Sequence, residues 1–156
     1  MEKGFYYETK IGTIGLVENG EAITYVCFGE NLPKDIEISE TPLLKKANEQ
    51  LQEYLNGKRK VFDLPLEPKG TAFQQKVWEV LREIPYGTTC SYKDIAEKIG
   101  NPKACRAVGM ANNRNPISIF IPCHRVIGAN GKLVGYGGGL DIKAKLLEIE
   151  RHLHGK

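Results

Sequence analysis

The chain has 156 residues, of which 41% are apolar and 26% are charged, and its formal net charge is +3 at pH 7. This length allows one compact core or two small domains, and the composition is ordinary for a globular protein. No stretch approaches the roughly 18 apolar residues that a membrane span needs, and the charged N-terminus does not resemble a secretory signal. We therefore expect no membrane association and a cytoplasmic location.

The charge is divided unevenly along the chain. Residues 1–66 carry 8 Lys and Arg against 11 Asp and Glu, whereas residues 67–156 carry 14 against 8. An excess of positive charge is what a nucleic-acid partner requires. Short runs of charge are also common on any solvated surface, so charge alone leaves the partner open.

The first 66 residues predict a small sheet with one helix. Asn19-Gly20 is a favoured hairpin turn, and Thr41-Pro42 has the form of a helix N-cap followed by the first helical residue, with Gly57 as the stop. Runs rich in aromatic and β-branched residues predict strands over 5–10, 13–17 and 22–28, with a further strand candidate at 60–64. Residues 65–70 have the composition of a linker.

Beyond the linker, the spacing of apolar residues becomes helical. Thr71 can cap a helix that ends at residues 85–87, and Ser91 with Asp94 resembles the capping box of a short helix. Asn101-Pro102 can begin a third helix. Two short helices joined by a tight turn have the shape of a helix-turn-helix, although this shape also occurs in proteins that never bind DNA.

The remaining elements surround a glycine-rich loop. The apolar run 117–121 predicts a short strand, residues 128–139 predict the loop, and Asp141 can cap a final helix. Trp78, in the helix that follows Thr71, is expected to be a core residue rather than part of a binding site.

Four cysteines are present, at positions 27, 90, 105 and 123, and none forms a C-x-x-C pair. The only histidines are His124, His152 and His154, so no zinc-ligand spacing appears and we expect no metal. In a reducing compartment the cysteines should remain thiols. For each of them the plain interpretation is a small buried residue.

Cys123 differs from the other cysteines in its neighbours. It lies in Ile-Pro-Cys-His-Arg-Val at 121–126, where His124 and Arg125 could favour the reactive thiolate. Adjacent side chains of an extended segment point to opposite faces, so His124 would need a turn or a bridging water to act on this thiol. A carboxylate of the last helix, Glu148 or Glu150, could orient the histidine, and spacing alone does not choose between them.

These motifs resemble the O6-alkylguanine-DNA alkyltransferase family. The resemblance rests on Ile-Pro-Cys-His-Arg-Val together with Tyr-Gly-Thr-Thr-Cys-Ser-Tyr at 86–92 and Asn-Pro-Lys-Ala-Cys-Arg-Ala-Val-Gly at 101–109, and it continues from 135–140 to Glu150. It implies an α+β fold, with a small ribonuclease-H-like α/β domain over 1–66. A mainly helical domain of winged helix-turn-helix type would occupy 67–156.

The resemblance implies a role for each matching position in the reaction. Cys123 would be the alkyl acceptor, His124 its base acting through a water, and Glu150 the carboxylate that orients the histidine. Tyr92 would donate a proton or hydrogen bond to the departing guanine, and Asn115 would tie the turn behind the active site.

The resemblance also implies contacts with DNA and with a flipped base. Arg106 would be the finger that enters the base stack where the target nucleotide has left it. Further DNA contacts would come from Ser91, Ala107, Asn112, Arg114 and Arg125. The base pocket would be formed by Val126, Tyr136, Gly137 and Gly138, with the carbonyls of Cys123 and Val126 reading the guanine amino group. Asn112 and Gly137 stand where some relatives have an apolar residue and a serine.

The implied function is DNA repair by irreversible transfer of an alkyl group from O6-alkylguanine, and from O4-alkylthymine, to the protein's own cysteine. A soft thiolate suits attack on an alkyl carbon, the target nucleotide must leave the duplex, and nothing displaces the resulting thioether. The partner would be double-stranded DNA containing O6-alkylguanine, with no cofactor, and the protein would be a monomer. Two other hypotheses are a lesion-binding module without transfer and a Cys-His hydrolase of acyl substrates.

Overall fold

A computed structural model describes residues 2–128, 136 and 138–154, with the side chains of the last helix described up to Arg151. The chain divides into two compact units, Met1–Lys69 and Gly70–Lys156. The first is built on a sheet and the second is mainly helical. This confirms the predicted mixture of an N-terminal α/β unit and a C-terminal helical unit.

The N-terminal unit is a four-stranded sheet of order β3-β2-β1-β4, with one helix packed against strands β1 to β3. β1 and β2 are antiparallel, as are β2 and β3, whereas β4 runs parallel to β1. The elements are β1 (Lys3–Thr9), β2 (Gly12–Glu18), β3 (Ile23–Phe28), β4 (Glu37–Ile38) and α1 (Pro42–Leu55). Three predicted strands and the helix are thus confirmed. β4 is too short to stand out in the sequence.

Local signals position these elements. The Thr41 hydroxyl accepts a hydrogen bond from the Leu44 backbone N–H at 3.1 Å, which confirms the predicted N-cap. The hairpin turn is longer than predicted, because Asn19 N–H donates to Ala22 O at 3.1 Å and, of the two predicted turn residues, only Gly20 has a positive φ. The core between helix and sheet contains apolar side chains of both, among them Ile14, Leu16, Leu44, Leu51 and Tyr54.

The predicted strand at 60–64 is wrong. Gln50 of α1 binds both backbone groups of Asp63, accepting from its N–H at 2.8 Å and donating to its carbonyl at 3.1 Å. A side-chain amide thus satisfies the backbone groups that a neighbouring strand would have paired. The chain reaches the sheet only at Leu66, which forms an isolated bridge with Ile23.

The C-terminal unit contains four helices and a two-stranded parallel ladder among its described residues. They are α2 (Ala72–Arg82), β5 (Cys90–Ser91), α3 (Tyr92–Lys98), α4 (Cys105–Asn113), β6 (Val126–Ile127) and α5 (Leu140–His154). Both predicted caps are confirmed as full capping boxes, Thr71 with Gln74 and Ser91 with Asp94. Trp78 is confirmed as a core residue, and its indole N–H donates to the Ala111 carbonyl at 2.8 Å.

Three predictions for this unit are wrong in detail. Helix α4 begins at Cys105 rather than at Asn101-Pro102, because a separate tight turn, closed by Ala104 N–H to Asn101 O, comes first. The final helix begins at Leu140, so Asp141 lies in its first turn instead of capping it. The predicted strand at 117–121 is a turn, closed by a hydrogen bond from Ile121 N–H to Ile117 O at 3.0 Å.

Ile119 lies in the middle of this turn with a φ of 76°. A β-branched residue is strained in this left-handed region and stays there only when its surroundings hold it. Its side chain is buried, so packing holds the turn that leads to Cys123.

The ladder of β5 and β6 pairs Cys90 with Val126 and Ser91 with Ile127. It joins the start of α3 to the segment that follows Cys123, so Tyr92 and the thiol are positioned by one small element. No described helix is long and apolar enough to cross a membrane.

Candidate active site

Cys123 lies in a single 3-10 turn formed by residues 123–125. Its N–H donates to Ile121 O at 2.8 Å, and the N–H of Arg125 donates to Pro122 O at 3.0 Å. The backbone is therefore not extended here: Cys123 and His124 lie in a turn, which is one of the two arrangements, a turn or a bridging water, that the sequence analysis left open. The side chains of Cys123, His124 and Arg125 are all buried.

The carboxylate of Glu150 binds the polar side chains of this turn. His124 Nε2 lies 2.7 Å from Glu150 Oε2, while Arg125 binds both carboxylate oxygens, with Nε 2.9 Å from Oε1 and Nη2 3.0 Å from Oε2. The Gly87 N–H adds a donor to Oε1 at 3.2 Å. Of the two carboxylates left open by spacing, Glu150 is the one that meets the histidine. Glu148 is exposed and pairs with Arg151 instead.

These contacts set the charge of each group. Burial alone would raise the pKa of Glu150, but the hydrogen bonds and charges of His124 and Arg125 lower it to about 2. Burial lowers the pKa of His124 below 6.5, and the hydrogen bond to Glu150 opposes this shift only in part. At neutral pH the pair is therefore a carboxylate and a neutral imidazole, the protonation state of a base.

The Cys123 thiol is held mainly in its neutral form. Burial raises its pKa, while hydrogen bonds from Asn115 and Ser118 and the charge of Lys143 lower it in part. Asn115 also fixes the turn that leads to the thiol, since its amide donates to Ile121 O at 2.9 Å and accepts from the Ile117 N–H at 3.0 Å. Thiolate formation at Cys123 thus depends on these neighbours.

Tyr92 belongs to the same site. Burial, and then the charge of Cys123, raise the pKa of its hydroxyl, so the phenol keeps its proton and can donate it. Helix α4 packs against this ring through Gly109, where an added Cβ would lie 3.9 Å from Tyr92 Cε1.

Lys143 and Ser118 are site residues that the sequence analysis missed. Lys143 is fully buried, and its ammonium donates to Val126 O at 2.6 Å. Burial lowers its pKa, and the charge of Cys123 opposes that shift. Lys143 lies seven residues before Glu150, which is two helical turns along the same face. Once Glu150 is assigned to the buried face of α5, this spacing predicts that Lys143 lies on the same face.

The residues predicted to contact DNA separate into exposed and buried ones. Arg106 and Ala107 are exposed on α4, and Arg114 is exposed at the position that caps the C-terminus of this helix. Ser91 caps α3, with its hydroxyl accepting from the Asp94 N–H at 3.1 Å. Asn112 is only 2% exposed, and among the described residues its Oδ1 has no hydrogen-bond partner.

Arg125 is also buried rather than exposed to a phosphate. Besides its contacts with Glu150, its Nη1 donates to Ile84 O at 2.7 Å, and its guanidinium lies 5.7 Å from the centre of the Tyr86 ring. The structure therefore places Arg125 within the network that holds the histidine.

Two of the predicted base-pocket residues, Val126 and Tyr136, lie next to the same turn. Val126 is buried, and the Tyr136 ring meets the His124 ring edge-on at 6.5 Å. Gly138 is half-buried, and Gly137 lies outside the described residues. In the described part of the chain, no cluster of three His, Cys, Asp or Glu side chains could hold a metal ion.

A buried thiol that directly precedes a histidine bonded to a carboxylate, in a mainly helical unit, is the arrangement expected of a protein that acts through a cysteine nucleophile. Two family models match the chain: the ribonuclease-like domain of 6-O-methylguanine DNA methyltransferase over residues 4–68, and its DNA-binding domain over residues 72–152. The chain belongs to the 6-O-methylguanine DNA methyltransferase family.

Curated relatives agree with this assignment. The chain is 52% identical over 148 residues to a methylated-DNA–protein-cysteine methyltransferase of Methanosarcina acetivorans, covering 92% of this chain and 95% of the relative. It is 51% identical over 152 residues to the constitutive enzyme of that name from Bacillus subtilis, covering 92% of each. Among solved structures, the Mycobacterium tuberculosis OGT in complex with DNA is similar, with a TM-score of 0.91, 44% identity and coverage of 97% of this chain and 94% of that one.

Proposed function

We propose that Cys123 is the residue through which this protein repairs DNA. The protein transfers an alkyl group from DNA to its own cysteine, and double-stranded DNA is its partner. The observation that carries the assignment to Cys123 is the 3-10 turn in which its buried thiol directly precedes His124, whose ring is fixed by Glu150 at 2.7 Å. Cys27, Cys90 and Cys105 are also free thiols, and none of them has a histidine next to it in the sequence.

In the proposed reaction the Cys123 sulfur attacks the alkyl carbon on guanine O6. The sulfur–carbon bond forms as the carbon–oxygen bond breaks, and the electron pair of that bond passes to the guanine. The thiol proton goes to neutral His124 through a water, and Glu150 stabilises the imidazolium. Tyr92 donates a proton or hydrogen bond to the departing guanine, so the guanine does not leave as a bare anion.

Lys143 supports the nucleophile in this scheme. Its buried ammonium favours the thiolate and is anchored on the Val126 carbonyl. Asn115 and Ser118 donate to the sulfur, and these contacts are strongest when the sulfur carries charge. The thioether product is a poor leaving group, so each molecule acts once.

For DNA we propose that α3 and α4 form the helix-turn-helix of a winged domain and that α4 is presented to the duplex. The target nucleotide is extruded so that its O6 can reach the buried thiol, which costs a few kcal/mol of unstacking. Arg106 occupies the vacated stack, while Ala107 and Arg114 contact the DNA beside it. Ser91 contributes at the start of α3, whereas Asn112 is buried on the inner face of α4.

The remaining assignments follow from the family resemblance. The base pocket is formed by Val126, Tyr136, Gly137 and Gly138, and the carbonyls of Cys123 and Val126 receive the guanine amino group. The N-terminal unit is a ribonuclease-H-like domain assigned to residues 1–66, with the alkyl-acceptor domain over 67–156. We also propose O4-alkylthymine as a second substrate, a monomeric state and a cytoplasmic location, which the four free thiols suit.

The test is to mix the protein with a duplex oligonucleotide that carries one O6-methylguanine and to measure the intact mass of the protein. The expected result is one added methyl group per molecule, with the lesion converted to guanine. Binding of the duplex without any added mass would replace the proposal with a lesion-binding function.

A further inference from the structure

The exposed face of α4 contains more than the basic residues predicted to bind DNA. Met110 is 60% exposed, although methionine is usually buried. It lies four residues after Arg106 on α4 and four residues before Arg114, which caps the helix, so the three side chains lie in one row on the same side. Both arginines are exposed as well. The row is thus a flexible apolar side chain between two cations.

The other side of α4 packs into the unit and cannot explain this methionine. Val108, Ala111 and Asn112 provide the buried face, and Gly109 lies against Tyr92. Single exposed apolar residues are common on protein surfaces, and Val61 of the N-terminal unit is 72% exposed. Met110 differs from Val61 because it occupies the centre of a row whose charges suit a polyanion.

We propose that Met110 is a DNA-contacting residue that packs against the deoxyribose and base edges beside the extruded nucleotide. This inference rests on the proposed function, since it requires α4 to be the helix presented to the duplex. Apolar side chains inserted at distorted base steps are a recurring device of DNA-bending proteins. A thioether with three rotatable bonds adapts well to such an irregular surface. Arg114 binds a phosphate on one side of Met110, and Arg106 fills the vacated stack on the other.

An apolar contact and a phosphate contact respond differently to salt. Loss of a phosphate contact reduces the slope of log affinity against log salt concentration by about 1, whereas loss of an apolar contact leaves this slope unchanged. Met110→Gln keeps the length of the side chain and removes its apolar end. We expect it to weaken duplex binding about three- to tenfold at every salt concentration. Arg114→Gln should reduce the slope.

A direct probe is available because Met1 and Met110 are the only methionines in the chain. Protein labelled with carbon-13 in the methionine methyl groups should show two methyl signals. Addition of undamaged duplex DNA should shift the Met110 signal and give contacts to deoxyribose protons, while the Met1 signal stays in place as the internal reference. An unshifted Met110 signal at saturating duplex would overturn the inference.

The variants provide the second arm of the test. Two rates are compared for each variant: methyl transfer from the duplex to Cys123, and benzyl transfer from free O6-benzylguanine to Cys123. For Met110→Gln, the ratio of the first rate to the second should fall about three- to tenfold. Met110→Leu should retain most of this ratio, and Val61→Gln should leave it unchanged. An unchanged ratio in Met110→Gln, with Cys123 still methylated by the duplex, refutes the contact alone. Absence of methylation in the wild-type protein refutes the proposed function itself.

Discussion

Arg125 binds both oxygens of Glu150, at 2.9 Å and 3.0 Å, while His124 takes a second contact with one of them at 2.7 Å. All three groups are buried. A buried carboxylate that is hydrogen-bonded on both oxygens keeps its charge and its position. The orientation of the His124 ring is therefore set by an ion pair between its own neighbour in sequence and a residue of the last helix.

This ion pair predicts how stability depends on acidity. The pKa of Glu150 is lowered from 4.5 to about 2, so the unfolded chain takes up the proton first as the pH falls. The stabilisation is fully present above pH 4.5 and is lost as the pH falls through 2, and the shift corresponds to about 3 kcal/mol. Urea unfolding at a series of pH values measures it. Glu150→Gln should lose this acid dependence, whereas the exposed control Glu148→Gln should retain it.

His124 predicts the pH dependence of the reaction. Its pKa is lowered below 6.5, so the imidazole is the neutral base at physiological pH and becomes protonated only in more acidic solution. The rate of alkyl transfer to Cys123 should therefore stay level from neutral pH down to 6.5 and fall at lower pH. Single-turnover rates with O6-benzylguanine across this range provide the measurement. A fall that begins well above pH 6.5 would show that neutral His124 is not the base.

Replacing Lys143 should change the reactivity of the Cys123 thiol. Lys143→Met keeps the volume and removes the ammonium, so the thiolate of Cys123 loses a favourable charge and its pKa rises further. We expect alkyl transfer to slow about tenfold both with the methylated duplex and with free O6-benzylguanine, which corresponds to one unit of pKa. Iodoacetamide labelling against pH reports the same pKa directly. Lys145→Met is the matched control, because Lys145 is exposed on the same helix. Equal rates of alkyl transfer in Lys143→Met and Lys145→Met would show that Lys143 does not act on the thiol.

Replacing Arg106 should affect the reaction with duplex DNA more than the reaction with free O6-benzylguanine. Arg106→Ala removes the side chain that replaces the extruded nucleotide, so repair of duplex DNA should fall at least tenfold while reaction with free O6-benzylguanine changes much less. Fluorescence of a 2-aminopurine beside the lesion reports extrusion. Lys76→Ala, at an exposed cation of α2, serves as the control for loss of charge. Equal losses on both substrates in Arg106→Ala would contradict the finger role.

Much of the fold could be read from local signals. Thr41, Thr71 and Ser91 were predicted as helix caps because a cap depends on residues only three positions apart, and each forms its hydrogen bond in the structure. The strand predicted at 60–64 failed because Gln50, distant in sequence, satisfies the backbone there. The start of α4 was placed too early because proline and asparagine suit a turn as well as a helix start.

The site was predictable in its residue types but not in its geometry. Cys123 and His124 stand out in the sequence, whereas the 3-10 turn that relates them depends on a strained Ile119 and on the brace from Asn115. Lys143 escaped notice because a lysine in a surface helix is ordinarily solvated. Arg125 was grouped with the DNA contacts because its charge gives no sign of the buried carboxylate that it binds.

In the proposed reaction, Cys123 is the one cysteine that receives the alkyl group. The most direct measurement is peptide mapping by mass spectrometry after reaction with a duplex that carries O6-methylguanine. Cys27, Cys90 and Cys105 act as internal references in the same digest, since all four cysteines are free thiols. We expect one methyl group on the peptide that contains Cys123, none on the others, and no second turnover when excess substrate is added. Methylation of another cysteine, or repair of the lesion with Cys123 unmodified, would contradict it.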